Sequence, residues 1–252
     1  ISIIGAGRMG ITHYSIINSH PDVEIESVAD TSSLILAVMN KYLTVKTFKD
    51  YNDLFAQTHP DAILVCTPPS LHYRIVKEAA ERGIHAFVEK PFTTKYKEAV
   101  ELASLYRQKD LIGQVGYVNR FNDVFIKVKQ LLEQGIIGNV VSYRSEMFVP
   151  TVIKTNTESG WRFSREMGGG ALFEIASHLI DLTNYFFDCP DKIIGTNLNQ
   201  VYSQKIEDIV SSTFLYSNKI AGTIYVNWSD ESHRKAAINF EIFGAGGKIQ
   251  AD

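Results

Sequence analysis

The chain is poor in cysteine, with only Cys66 and Cys189 among 252 residues. So sparse a pair cannot form the disulfide framework of a small secreted scaffold. Cys66 also falls inside an apolar run that reads as a core strand, so reduced thiols and a cytoplasmic location are expected. No apolar run approaches the roughly 20 residues of a membrane span. The opening ISIIGAG has neither a cationic region nor a small-residue cleavage site, so it does not read as a secretory signal. Charge of one sign is also missing: 25 Lys and Arg stand against 28 Asp and Glu, for a formal charge of −3. That balance gives nucleic acid and anionic membrane surfaces no electrostatic hold. His72, His178, Cys66 and Cys189 lack the spacing of zinc or iron ligands, so no metal is expected. The sequence starts inside an apolar run without methionine and stops where a strand pair is under way, in FEIFGAGGKIQAD. Residues are expected to be missing at both ends.

What is present is ordinary globular composition, 45% hydrophobic and 21% charged. The length suits two domains, each able to bury its own core. The first half alternates short apolar runs (ISII, VEIESVAD, AILVCTPP, IHAFVEKP, IGQVGY) with helical periods. The helices are expected near 9–19, 32–42, 71–82 and 94–108. Strand–helix alternation with continuously apolar strands implies a parallel sheet covered on both faces. After Asn119 the pattern changes. A helix at 123–134 precedes NVVSYRSEMFV and an apolar helical stretch. KIIGTNLNQVY, DIVSSTFLY, IAGTIYVNW and AAINFEIFG then follow as strands without intervening helices. Such strands imply a mainly antiparallel sheet. The expected fold is therefore a doubly wound α/β Rossmann domain over residues 1–118. An α+β domain with an open, mainly antiparallel sheet is expected over 119–252.

GAGRMG places Gly5, Gly7 and Gly10 in the G-x-G-x-x-G spacing, after a strand and opening a helix with Arg8 and Met9. The first glycine permits the tight turn, the second lets a pyrophosphate approach, and the third lets helix and strand pack closely. The helix N-terminus offers unpaired N–H groups to phosphate. Asp30 follows Gly10 by about 20 residues, at the end of the next strand, where a carboxylate binds ribose hydroxyls. The bland alternative is a structural turn with an unrelated aspartate. Asp30 would also repel a 2′-phosphate, and neither Thr31 nor Ser32 offers a cation, so NAD is expected over NADP. Thr67, Pro68 and Pro69 end another strand at the edge where ligands collect. His72 beside them is either a ligand contact or a helix-cap or surface residue. In FVEKPF, Glu89 and Lys90 point to opposite faces of an extended chain, and Pro91 restricts the lysine to extended geometry. They form either a surface ion pair or an anchor with a crevice-facing ammonium.

In GGGALFEIASHLID, a regular helix would project Glu174, His178 and Asp181 from one face at i, i+4 and i+7. They either satisfy one another in a core or face a cleft. The glycines Gly168, Gly169 and Gly170 would let backbone approach a ligand and leave the helix N-terminus bare. A histidine between two carboxylates is stabilised as imidazolium, which raises its pKa.

GAGRMG, TPPSLHYRIVKEAAERGIHAFVEKPF, GYVNRFN and WRFSREMGGGALFEIASHLIDL occur in one order and spacing. Together they resemble the glucose–fructose oxidoreductase, inositol dehydrogenase and rhizopine-catabolism protein family of NAD(P)-dependent oxidoreductases, over essentially the whole chain. The resemblance implies that Lys90 is the catalytic lysine, often followed by a cis-proline, and that His178 is the catalytic histidine. The family usually has Asp where this chain has Glu174, and Gly where it has Ala176, so the carboxylate stands one methylene further out. The family's second sheet often forms a subunit interface, which implies a homodimer or homotetramer.

The expected chemistry is reversible oxidation of a secondary alcohol on a sugar, cyclitol or sugar-nucleotide. Lys90 donates to the substrate oxygen, a role worth about 3 kcal/mol by comparison with other oxyanion donors. His178 takes the hydroxyl proton, with Glu174 beside it. Asn119, Arg120, Trp161 and Arg162 are either substrate contacts or structural, and Tyr117 is a weaker candidate. The competing reading is a dinucleotide-binding sensor on the same fold that has lost its chemistry.

Overall fold

The computed structural model describes residues 1–150 and 160–252, which form two compact units, Ile1–Gly116 and Tyr117–Asp252. The first alternates β1 (Ser2–Ile4), α1 (Arg8–Ile17), β2 (Ser27–Ala29), α2 (Ser33–Tyr42), β3 (Lys46–Phe48) and α3 (Tyr51–Gln57). It continues with β4 (Ala62–Val65), α4 (Pro69–Glu81), β5 (His85–Val88), α5 (Tyr96–Gln108) and β6 (Gly113–Val115). All strand pairs are parallel, in the order β3-β2-β1-β4-β5-β6. Strand order reverses on either side of β1, and the crevice outside the carboxyl ends at such a point is where this architecture takes ligands. The central strands are buried on both faces through Ile3, Val28, Ile63 and Val65, which is why they read as continuous apolar runs.

One strand and one helix have no counterpart in the sequence reading. β3 is three residues, Lys-Thr-Phe, at the edge of the sheet, and none of them is buried. An edge strand with so little buried surface leaves no hydrophobic run to detect. α3 behind it is a seven-residue helix capped by the Asp50 carboxylate, which accepts from Asn52 N–H at 2.9 Å.

The second unit opens with a 3₁₀ turn at Val118–Phe121 and α6 (Asp123–Glu133), capped where the Asn122 side chain accepts from Val124 N–H. β7 (Val140–Phe148) follows, then short turns at Trp161–Phe163 and Arg165–Met167, a π turn at Leu172–Ala176, and α7 (Ser177–Phe187). Five strands close it: β8 (Lys192–Asn199), β9 (Ile209–Leu215), β10 (Ala221–Asn227), β11 (Ala237–Gly244) and β12 (Gly247–Ala251). The sheet order is β12-β11-β7-β10-β9-β8, antiparallel throughout except for the parallel pair β7 and β10. The sheet is thus mixed but mainly antiparallel. Phe125, Val128, Leu179, Leu182 and Phe186 from α6 and α7 share one core with Tyr143, Ile224, Phe240 and Ile242 from the strands. The alternate strand positions, Arg144 and Thr223 among them, are exposed. No helix of the described residues is long and apolar enough to cross a membrane.

Candidate functional site

The glycine loop is built as its spacing predicts, and each glycine has a separate cause. Gly5 has φ +96°, and a Cβ there would stand 2.7 Å from the Cys66 carbonyl carbon. A Cβ at Gly10 would stand 1.9 Å from the Gly5 carbonyl oxygen, so only glycine lets α1 pack onto β1. At Gly7 a Cβ would meet nothing within 4 Å, and the residue is exposed together with Arg8. Gly7 thus faces the open space that a pyrophosphate needs, at the head of a helix whose first turn has no side-chain cap. Met9 is half-buried beside it.

Asp30 closes this loop from the end of β2. Its Oδ2 accepts from Ala6 N–H at 2.7 Å and its Oδ1 from Ser32 N–H at 2.7 Å. A carboxylate has about four acceptor positions, so two remain for ribose hydroxyls. Thr67, at the end of β4, has its hydroxyl buried with no hydrogen-bond partner. A buried orphan beside the glycine loop and an uncrowded Gly7 are what a bound dinucleotide would satisfy and fill. The residues present fit that cofactor.

Pro69 opens α4 with Pro68 as its cap residue. His72, on its first turn, is fully buried. Its Nε2 lies 2.9 Å from the Thr67 carbonyl and its Nδ1 3.0 Å from the Pro91 carbonyl. Burial pushes its pKa down, against the pull of those carbonyls. His72 therefore lies inside the domain rather than at its surface, and it ties the loop after β4 to the loop after β5.

Lys90, half-buried, follows β5, and the Lys90–Pro91 bond is cis. Glu89 is buried, its Oε1 2.7 Å from His13 Nε2 and its Oε2 accepting from Lys90 N–H at 3.3 Å. Glu89 is thus the anchor of the pair. Burial, reinforced by the Glu89 charge, pushes the Cys66 thiol up to about 12, so that cysteine is unreactive.

In the second unit, Tyr117, Arg120, Asp181 and His178 form one cluster. The Arg120 guanidinium grips Asp181 with two bonds, Nε to Oδ2 at 2.8 Å and Nη2 to Oδ1 at 2.6 Å. It also lies over the Tyr185 ring at 5.4 Å. Tyr117 meets the His178 ring edge to face at 6.4 Å between centroids. Burial, and then the Asp181 charge, push the Tyr117 hydroxyl up to about 12 despite Arg120. Asn119 is half-buried in the same 3₁₀ turn. Arg162 Nε donates to Glu174 Oε2 at 3.1 Å, and its guanidinium stacks on Trp161 at 4.7 Å.

Four expectations for this helix change. The stretch is not one regular helix, because Leu172–Ala176 is a π turn, whose wider winding shifts Glu174 relative to His178 from the i, i+4 stacking. Both carboxylates also already face guanidinium groups, Asp181 with Arg120 and Glu174 with Arg162. They are not an unbalanced pair around the histidine. Nor is the N-terminus bare. Glu207, buried, accepts from Leu172 N–H at 2.9 Å and from Arg165 at 3.0 Å. The glycines make room for the protein itself. A Cβ at Gly169 would stand 2.1 Å from the Arg162 carbonyl oxygen, and one at Gly170 2.3 Å from Glu207 Oε1.

The sequence reading missed His13 and Glu207. His13 had a faint signal, one helical turn beyond Gly10. Glu207 had none, since it reaches the helix from a loop 35 positions away. Among the described residues no group of three or more His, Cys, Asp or Glu side chains could hold a metal ion.

Residues 1–117 match the family described as an oxidoreductase family with an NAD-binding Rossmann fold, and residues 125–250 match the GFO/IDH/MocA C-terminal domain. An uncharacterised oxidoreductase of Synechocystis is 28% identical over 214 residues, which is 81% of this chain and 57% of that protein. The myo-inositol 2-dehydrogenase of Thermotoga maritima is 26% identical over 269 residues, covering all of this chain and 75% of that one. The WlbA dehydrogenase of Bordetella pertussis, crystallised with NADH and UDP-GlcNAcA, has the same fold, with a TM-score of 0.92 at 24% identity. That likeness covers 99% of this chain and 72% of that one. The chain thus spans little more than half of the first relative and about three quarters of the other two.

Proposed function

The chain belongs to the GFO/IDH/MocA family of NAD-binding oxidoreductases, and from that membership we propose that it is an NAD(H)-dependent dehydrogenase of a secondary alcohol on a sugar, cyclitol or sugar-nucleotide. The observation that carries this reading is the fit of the glycine loop: an uncrowded Gly7, an orphaned Thr67 hydroxyl, and Asp30 with acceptor positions to spare. A relative named as a myo-inositol 2-dehydrogenase and a structural neighbour crystallised with NADH and a sugar-nucleotide support the substrate class.

When bound, the nicotinamide supplies the hydride acceptor or donor. Arg8, Met9, Thr67 and the α1 N-terminus hold the pyrophosphate side, and Asp30 selects the unphosphorylated ribose. Lys90 donates to the substrate hydroxyl oxygen and stabilises the charge that develops there. His178 takes the hydroxyl proton. Glu174, held by Arg162, orients the substrate, and Asn119, Trp161 and Arg162 complete its contacts. Arg120 acts by holding Asp181 one turn beyond the histidine. The uncovered face of the second sheet is the surface for a homodimer or homotetramer.

The test is a screen of inositols, free sugars and sugar-nucleotides with NAD⁺, read at the absorbance of reduced nicotinamide. We expect turnover on at least one member, and a loss on the order of 10²-fold or more in kcat for Lys90→Ala. Tight NADH binding with no turnover on any polyol, and no effect of Lys90→Ala on ligand binding, would instead identify a dinucleotide sensor.

A further inference from the structure

α1 and the end of β5 carry a contact that the chemistry above does not use. Glu89 N–H donates to the Val65 carbonyl at 2.9 Å, so the residue continues the strand register beyond Val88. Side chains alternate along an extended chain, which puts Phe87 and Glu89 on one face and Val88 and Lys90 on the other. His13 touches both members of the first face. Its ring meets Phe87 edge to face at 5.1 Å, and its Nε2 stands 2.7 Å from Glu89 Oε1. Both partners are shielded, with side-chain exposures of 14% and 10%. A carboxylate this enclosed is costly without a partner, so His13 decides where Glu89 can sit. Glu89 in turn bonds the N–H of Lys90 through its other oxygen.

The other end of the chain of contacts is the cofactor loop. His13 lies one turn beyond Gly10, which packs so closely on the glycine loop that a Cβ there would stand 1.9 Å from the Gly5 carbonyl oxygen. α1 is therefore packed directly onto the glycine loop, whose amides would face the phosphates of a bound dinucleotide. We infer that His13 is a positioning residue that couples the seating of the dinucleotide on α1 to the placement of the Lys90 ammonium, through Glu89. Nothing in the glycine motif or in the lysine block alone requires this histidine. Its place follows from the two elements being joined at a buried hydrogen bond. The inference rests on the dinucleotide reading above and adds a coupling to it.

The experiment needs no identified substrate. Lys90 is labelled with a trace of acetic anhydride in the full chain, with and without NADH, and its labelling rate is read by peptide mass spectrometry. NADH affinity is measured in parallel by fluorescence. In the wild type, NADH should slow Lys90 labelling at least fivefold. In His13→Leu, which keeps the packing on Phe87 but has no donor, NADH should still bind while protection falls below twofold. His13→Gln, whose amide nitrogen reaches the place of Nε2, should restore protection to at least threefold. His13→Asn is polar but too short to reach Glu89; it stands in for the leucine variant if that protein does not fold, and should lose protection likewise. Wild-type protection in the leucine or asparagine variant, or a glutamine variant no better than them, overturns the coupling and leaves the cofactor reading intact. A wild-type chain that does not bind NADH overturns both.

Discussion

Asp30 serves three purposes with one carboxylate. It closes the glycine loop by accepting from Ala6 N–H, it holds the turn toward α2 by accepting from Ser32 N–H, and it keeps acceptor capacity for a ribose. Replacing it therefore has two effects of different cofactor dependence. Loss of the loop contact weakens any dinucleotide. Loss of the ribose contact weakens NADH most, and for NADPH the removed charge offsets part of the damage. Hydrogen bonds to a charged group are worth about 1.5–3 kcal/mol, so Asp30→Ala should weaken NADH by roughly 10- to 100-fold and NADPH by much less. Titration of both nucleotides against both proteins measures the ratio, and equal losses would remove the preference for NAD. Asp30 was legible because its chemistry comes with a fixed offset from the glycines. Lys90 and His178 stood out in the sequence as a strand-end ammonium and a helix-face histidine, but the roles proposed for them came only with the family pattern. Glu207 was illegible because a carboxylate in a loop shows no partner until the chain is folded.

At the scale of the element, the turn before α7 shows how a glycine run suggests one role in the sequence and plays another in the fold. Three glycines before an apolar helix suggest a ligand-binding N-terminus, yet Glu207 fills that place. Gly170 has φ +104°, and any Cβ there would meet Glu207 Oε1 at 2.3 Å. Gly170→Ala should then cost about 1–3 kcal/mol in backbone strain, with about 1–3 kcal/mol more for the N–H and carboxylate left without each other. Gly135→Ala in the same unit is the control, since its φ is +67° with nothing within 4 Å. It should cost only the strain of the left-handed region, about 1–2 kcal/mol. Urea unfolding of both variants separates the effects, and equal midpoints would refute the steric role of Glu207. The same scale explains what periodicity could and could not deliver. Helices such as Tyr96–Gln108 bury a regular face and central strands such as Ala62–Val65 are buried on both, and the resulting patterns locate them. β3 buries nothing fully, and the π turn has no compositional mark that would distinguish Leu172–Ala176 from an α-helix.

For the whole molecule, the division into two units makes a prediction about where cofactor binding is felt. Every group assigned to the dinucleotide, from Gly5 through Asp30 and Thr67 to Lys90, lies in Ile1–Gly116. A ligand that binds only the folded state stabilises it by about 2.7 kcal/mol at a hundredfold excess over Kd. That stabilisation is delivered first to the elements that carry the contacts. Saturating NADH should therefore slow amide hydrogen exchange most at the ends of β1, β2, β4 and β5 and along the first turns of α1. The Ala6 and Ser32 amides should be among the most protected, because Asp30 is immobilised on its free side once the ribose is bound. Exchange read by peptide mass spectrometry at fixed pH, with and without the nucleotide, resolves these segments. Unchanged exchange through residues 1–116 at saturating NADH would mean that the glycine loop is a structural turn, since a loop that accepts the pyrophosphate cannot leave its own amides as free to open as before.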